Sequence, residues 1–213
     1  MNYKIIKKIH EGFESDVFTV QLDGKTYIMK RYPIIDSNFK NYKMVISREI
    51  DMSQFINKLS KNKIIFFMKT IDFKLVKCNK IFKSFTNNNF VEKKTNKCVE
   101  IIYEHKGDTL ASLLKTKNLK LKDKYHMIII IVYALDIIKK GGYVHADIHS
   151  DNITFKTNKN KVKIGSKSIE PKYIYSIIDY GFNKHSKYKD KEVIVKEYVK
   201  MNYDLLYFIR QII

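Results

Sequence analysis

Apolar and polar residues alternate loosely over residues 3–9, and the same spacing returns over 17–22 and 25–31. A period of two sends successive side chains to opposite faces, which predicts strands. His10, Glu11, Gly12, Glu14 and Ser15 place turn chemistry between the first two runs. Asp23-Gly24 separates the second from the third, a dipeptide that accepts the left-handed geometry of a tight hairpin. The third strand carries Lys30 near its end. Over 47–59 the period changes to three and four: Ile46, Ile50, Ser53 and Ile56 fall near one face, with Phe55 and Leu59 adding bulk. This predicts a helix with Glu49 in its first turns. Residues 64–85 are apolar with interspersed lysines and predict one or two strands. Residues 86–97 are polar and asparagine-rich and predict an exposed loop, and 98–103 form a short β run.

Glu104-His105-Lys106-Gly107-Asp108 then breaks the pattern and is expected to be a linker. A short helix is predicted over 109–115, with Asp108 as a candidate N-cap. The longest helical pattern covers 121–140 and ends at Gly141-Gly142. Its nearly continuous apolar character predicts burial on most sides. The most apolar part, 127–135, is about half a membrane span and is followed by Asp136 and Lys139, so no membrane span is expected. A strand is predicted at 153–155, paired with either 161–164 or 173–178, with a loop over 157–171 and a closing helix over 195–213. The elements together predict an α+β chain.

Composition sharpens this picture in two places. The 213 residues are 45% apolar, enough for a real core, and carry a formal net charge of +19. Nearly all the positive charge is lysine, with arginine only at 31, 48 and 210. Without arginine clusters and interleaved aromatics, solvated lysine faces are favoured over a nucleic-acid surface. Cys78 and Cys98 sit in no zinc-ligand spacing, and two unpatterned cysteines fit a reducing compartment. The first ten residues lack the apolar core of a signal peptide. The expected location is the cytoplasm, which for a viral chain is the host's. The oligomeric state is not legible.

Candidate chemistry is concentrated in Y-V-H-A-D-I-H-S-D-N-I-T-F, residues 143–155. Asn152 lies five residues beyond Asp147, and Ile177-Ile178-Asp179-Tyr180-Gly181 ends a second strand-like run with another carboxylate. A carboxylate in a tight loop, an amide and a second carboxylate at a strand end can hold Mg²⁺ and aim a hydroxyl at a phosphate. The set resembles the protein-kinase-like superfamily, where the patterns read H-R-D-x-x-x-x-N and D-F-G.

The resemblance implies a two-lobed fold: an antiparallel-sheet N-lobe with one helix over 1–103, a hinge at 104–108 and a minimal, mostly helical C-lobe over 109–213. It implies ATP and Mg²⁺ as cofactors, with Asp147 orienting the acceptor hydroxyl and Asn152 and Asp179 as metal ligands. Lys30 would meet the α and β phosphates and be held by Glu49. Gly12, Ser15, Val17, Ile28, Tyr103, Glu104 and Lys106 would line the nucleotide site, and Asp108 would meet the ribose if it does not cap the helix that follows it. Asp204 is similar to the aspartate that ties down the catalytic loop in that family, and His145 is expected to shape the loop rather than to titrate.

Several positions depart from the family. Of the glycine-rich loop only Gly12 remains, which leaves fewer close backbone donors for phosphate. Ile28 stands where the family has alanine, and Ala146 where it has arginine. His149 stands where serine/threonine kinases carry lysine, a form similar to aminoglycoside and choline kinases. No A-P-E motif follows Asp179. In its economy the chain is similar to Rio-type kinases and the small kinase of tRNA-modifying complexes, and in its lysine- and asparagine-rich style to large DNA virus kinases. The expected function is an atypical serine/threonine protein kinase acting on acidic protein substrates. The alternatives are a small-molecule phosphotransferase and a pseudokinase that binds without catalysis.

Overall fold

The computed structural model describes residues 2–12, 15–34, 45–86, 89–185, 188, 204–205, 208 and 210, with side chains from 82–86 and 89–93 left aside. The architecture is α+β. The chain divides into two compact units. Met1–Asn41 and Lys69–His105 form the first, and Tyr42–Met68 and Lys106–Ile213 form the second. The last division point, between His105 and Lys106, lies inside the 104–108 stretch where the sequence pattern breaks.

The first unit is a five-stranded antiparallel sheet. Its strands are β1 (Lys4–Glu11), β2 (Asp16–Leu22), β3 (Lys25–Pro33), β4 (Thr70–Thr86) and β5 (Asn89–Glu104), in spatial order β1-β2-β3-β5-β4. The alternation in β2 buries Asp16, Phe18, Val20 and Leu22 and leaves the residues between them more exposed. Phe18, Val20, Met29 and Ile102 form a core cluster on one face, against which Tyr3, Tyr27 and Ile71 pack. Asp23 and Gly24 both take positive φ, 48° and 73°, as a two-residue hairpin turn requires.

The same face carries a buried ionic knot. Glu100, 1% exposed, accepts from Arg31 Nε at 2.8 Å and Nη2 at 2.6 Å, and from the Tyr3 hydroxyl. The Lys74 ammonium lies 4.3 Å from the centre of the Tyr3 ring. Asp16 is bridged by Lys80 at 2.6 Å and Lys8 at 3.4 Å. Buried charges survive only when paired in this way.

Two expectations are corrected in this unit. Residues 89–97 belong to β5 rather than to a loop, in register with β4 from Thr86↔Asn89 back to Lys77↔Lys97. Backbone pairing with β4 builds this stretch, and Lys94, Asn96 and Lys97 are exposed, so a polar sequence is compatible with a strand here. Cys78 and Cys98 are joined by a disulfide, with Cα atoms 5.8 Å apart. The pair sits across neighbouring strands, beside the register shift between Lys77 and Lys80. This removes the argument from unpaired thiols to a reducing compartment.

The second unit holds α1 (Val45–Asn57), α2 (Lys61–Ile64), α3 (Leu110–Thr116) and α4 (Leu121–Lys140). Helix α1 buries Ile46, Met52 and Ile56 together with Ser47, Glu49 and Ser53. Thr109 caps helix α3, its Oγ1 accepting the Ser112 N–H at 3.3 Å, so the cap is Thr109 and not the candidate Asp108. Helix α4 buries Met127, Ile130, Ile131, Ala134, Leu135, Ile137 and Ile138, and the Gly141 N–H closes its end on the Ile137 and Ile138 carbonyls. Among the described residues no helix is long and apolar enough to cross a membrane.

The strands here are β6 (Asp108–Thr109), β7 (Tyr143–Val144), β8 (Ile153–Thr157), β9 (Val162–Ile164), β10 (Lys167–Ile169), β11 (Tyr173–Ile177) and β12 (Lys184–His185). They form a three-stranded sheet, β11-β8-β6, and two small ribbons, β10-β9 and β12-β7. Of the two candidate partners for β8, the structure selects 173–177. The 157–171 stretch, expected as a loop, contains the β9–β10 hairpin, whose strands of three residues are too short to show a period. In the 64–85 stretch the strand begins at Thr70. Phe66, Phe67 and Met68 are buried in the second unit, where Phe67 bridges Ile177. Of the helix expected over 195–213, Asp204, Leu205, Phe208 and Arg210 are described and helical, and the rest lies outside the described residues.

Candidate functional site

In the first unit, strand register decides which candidate side chains share a face. Val17 pairs with Lys30 and Thr19 with Ile28, while Lys30 pairs with Ile101 and Ile28 with Tyr103. Residues directly opposite in an antiparallel pair point the same way. Val17, Ile28, Lys30 and Tyr103 therefore stand on one face of the sheet, opposite the Phe18–Met29 cluster. Tyr103 is fully buried and Lys30 is 6% exposed. Gly12 closes the β1–β2 turn: its N–H donates to the Ser15 carbonyl at 2.9 Å, and a Cβ at Gly12 would lie 2.7 Å from that oxygen. Glu104 ends β5 with its N–H on the Lys69 carbonyl at 2.9 Å, and Lys106 opens the second unit.

In the second unit the loop after β7 is organised by hydrogen bonds that run through two residues. Asn152 Nδ2 donates to the Asp147 carbonyl at 2.9 Å and to Asp147 Oδ2 at 3.0 Å. That orientation commits the amide nitrogen to the loop and turns Oδ1 into the oxygen offered elsewhere. The Asn152 main chain receives the Ile178 N–H at 3.0 Å. His145 Nε2 meets the Ile178 carbonyl at 2.9 Å, so both polar groups of Ile178 are held by the loop. This seats Asp179, the next residue, beside the Asp147–Asn152 turn. His145 is 0% exposed and its bond requires a protonated Nε2, which matches a shaping role.

Backbone strain marks the same two places. Ala146 has φ 64° and Asp179 has φ 62°, the left-handed region that costs a non-glycine residue about 1–2 kcal/mol. The strain at Ala146 is held by Asp204, whose carboxylate accepts the His145 N–H at 2.6 Å and the Ala146 N–H at 2.8 Å. Burial pushes the Asp204 carboxyl above its usual range, opposed by the neighbouring His145 and by these two N–H groups.

After Asp179, Tyr180 is fully buried and its hydroxyl lies 2.8 Å from the Met68 N–H, 3.0 Å from the Met68 carbonyl and 2.9 Å from the Ile177 carbonyl. Burial drives its phenol far above the usual range, and the charges of Glu49 and Asp179 push the same way. Gly181 fits where it does because a Cβ there would stand 2.6 Å from Val45 Cγ1 and 3.2 Å from Glu49 Oε2. Glu49, on α1, is thus packed against the Asp179-Tyr180-Gly181 segment. The motif also reaches α1 through Asn183, whose Nδ2 donates to the Arg48 carbonyl at 2.7 Å.

His149 lies beside Asp147. Its Nε2 is 3.7 Å from Asp147 Oδ2, and its Nδ1 accepts the Asp151 N–H at 3.3 Å, capping the 3₁₀ turn Ser150–Asn152. The accepting Nδ1 leaves the proton of a neutral ring on Nε2, facing the carboxylate.

Asp147, Asn152, Asp179, Glu49 and Asp204 are thus assembled within the second unit, while Gly12, Ser15, Val17, Ile28, Lys30, Tyr103 and Glu104 belong to the first. The role of the Tyr180 hydroxyl is the feature sequence reasoning missed, although a tyrosine in place of phenylalanine was its visible trace. Among the described residues no group of three or more His, Cys, Asp or Glu side chains is placed to hold a metal ion. Asn152 and Asp179 supply oxygen donors of the kind Mg²⁺ takes, and Mg²⁺ ordinarily completes its shell with water and substrate phosphates. No family model matches the chain, and no curated protein matches it.

Proposed function

We propose that the protein transfers the γ-phosphoryl group of ATP, with Mg²⁺, to hydroxyl groups of acidic proteins. The observation that supports this best is the hydrogen-bonded loop in which Asn152 fixes Asp147 and grips Ile178, bringing a second carboxylate, Asp179, to the same turn. A two-lobed kinase-like arrangement belongs to the proposal, with the sheet unit covering the nucleotide and the second unit carrying the catalytic loop.

Each residue then has a defined task. Asp147 orients the acceptor hydroxyl and takes up its proton as the oxygen bonds to phosphorus and ADP leaves. Asn152 Oδ1 and the Asp179 carboxylate would hold Mg²⁺, which would supply neutralisation of the charge developing on the phosphates. Lys30 contributes an ammonium on the sheet face it shares with Val17, Ile28 and Tyr103, the face proposed for the nucleotide, and Glu49 is its proposed partner. Glu104 and Lys106 supply main-chain groups to the adenine edge. Tyr103 closes the back of the pocket, and Gly12 with Ser15 shapes the loop over the phosphates.

The geometry at His149 favours a second reading. Its ring faces the Asp147 carboxylate, where a protein kinase presents lysine, and this is the form shared with small-alcohol kinases. An acceptor panel separates the two. Labelled phosphate from Mg·ATP should pass to casein-like proteins and not to aminosugars or choline. Transfer to the small alcohols alone would replace the first reading with the second. ATP-independent behaviour with every acceptor would leave a binding protein.

A further inference from the structure

The segment between Asn152 and Asp179 is longer than a plain hairpin between paired strands, and the extra residues are folded. Asn158 pins them down: its N–H donates to the Lys172 carbonyl at 2.8 Å, and its Nδ2 donates to the Asn160 carbonyl at 2.7 Å and the Pro171 carbonyl at 2.9 Å. The β9–β10 hairpin projects from this clasp, with Val162 and Pro171 buried at its base. Between the clasp and the first turns of α4 lies a cleft of about 410 Å³.

Lys122, Lys159, Lys161 and Lys172 line this cleft, against Asp123 and Glu170. Glu170 is engaged by Lys161 at 3.4 Å, and Asp123 sits in the first turn of α4, where the helix dipole favours a carboxylate. The lysines outnumber the acids. At the back, His126 is 8% exposed, and its Nδ1 has no hydrogen-bond partner among the described residues. A second hollow follows along the α3–α4 connection, lined by Lys115, Lys117 and Lys124.

We propose that this lysine-lined surface binds an acidic peptide segment, a run of Asp and Glu side chains on a protein partner. Charge complementarity carries the assignment, and the spread of point charges over two hollows matches a chain of carboxylates better than one phosphate. Nucleic acid fits less well, because neither hollow is lined by an exposed aromatic on which a base could stack. Tyr173, nearby, is 3% exposed under the ammoniums of Lys117 and Lys172, 5.5 and 5.3 Å from its ring centre. The inference goes beyond phosphoryl transfer and does not depend on it. If both hold, the cleft recruits the acidic substrates on the unit that carries Asp147.

Fluorescence anisotropy with the full chain and a labelled Asp/Glu-rich peptide tests this at ~0.1 M salt, where charges beyond about 10 Å are screened. The wild type should bind the acidic peptide and not its Asn/Gln counterpart. Lys122→Glu with Lys159→Glu, both exposed, should weaken binding about tenfold. Lys4→Glu with Lys7→Glu, exposed on β1, should leave it within about twofold. Equal loss in the two double variants would reduce the effect to diffuse charge and overturn the site. So would equal binding of the Asn/Gln peptide, or tighter binding of a single-stranded oligonucleotide than of the acidic peptide. Phosphotransfer activity plays no part in this readout, so failure here and failure of the proposed reaction are seen separately.

Discussion

Replacing Asp204 by alanine removes the carboxylate that anchors a strained turn, and the cost follows from its contacts. The carboxylate accepts two main-chain N–H groups, at 2.6 and 2.8 Å, one of them on His145, which is 0% exposed. Hydrogen bonds to a charged group contribute about 1.5–3 kcal/mol each. Part of that is returned because burying the carboxylate is itself unfavourable, as its raised pKa records. A net loss of about 2–4 kcal/mol is expected for Asp204→Ala, and roughly half of it for Asp204→Asn, which keeps one acceptor oxygen. Urea unfolding followed by a probe in the second unit measures this, and amide exchange at His145 and Ala146 shows whether the turn is released.

The pH dependence gives an independent check. A carboxyl raised in the folded state keeps its proton where the unfolded one, near 3.8, has lost it. The folded chain then binds more protons, so this group's contribution to stability falls as pH rises from about 3.8 to the folded pKa and is level above it. Asp204→Asn should abolish that fall. A loss below about 0.5 kcal/mol in Asp204→Ala, with His145 and Ala146 amides still protected, would refute the anchoring argument.

Tyr180→Phe should cost about 1–2 kcal/mol in urea unfolding, because the Met68 N–H keeps the Ile177 carbonyl at 3.0 Å while the bonds to the hydroxyl are lost. Phosphotransfer should fall with it if the tyrosine seats Asp179. The Tyr3 phenol is pushed up to about 12, by burial first and then by Glu100. It stays protonated in the fold where the unfolded phenol ionises, so stability should decline as pH climbs from about 10 to about 12. Tyr3→Phe should remove that component, as read from urea midpoints across the window. Reducing the Cys78–Cys98 disulfide, whose partners are 20 residues apart, should lower stability by about 3 kcal/mol on chain-entropy grounds, as seen in thermal unfolding with and without dithiothreitol.

Strands β1 to β3, their Asp23-Gly24 turn and helices α1 and α4 were legible because period and punctuation agreed along the chain. The first part of β5, residues 89–97, was hidden because its Asn- and Lys-rich sequence leaves no alternation to read, while 98–103 was legible as a β run; the pairing with β4 is set by the fold. The β9–β10 hairpin was hidden by its length. At the site, Asp147, Asn152 and Asp179 could be singled out by spacing. No spacing rule, however, could show that Asn152 turns its amide nitrogen inward or that His145 holds the Ile178 carbonyl. The Tyr180 hydroxyl depends on Met68, a residue 112 positions away, so its role could be seen only in the fold.

The most direct test of the proposed phosphoryl transfer is incorporation of γ-labelled phosphate into an acidic protein substrate with Mg·ATP, comparing wild type with Asp147→Asn. Wild type should label the substrate, lose that activity on chelation of Mg²⁺, and exceed the variant by about a hundredfold or more, the scale of general base catalysis. Equal labelling by the two proteins, or none by wild type on any protein or small-alcohol acceptor, would contradict it.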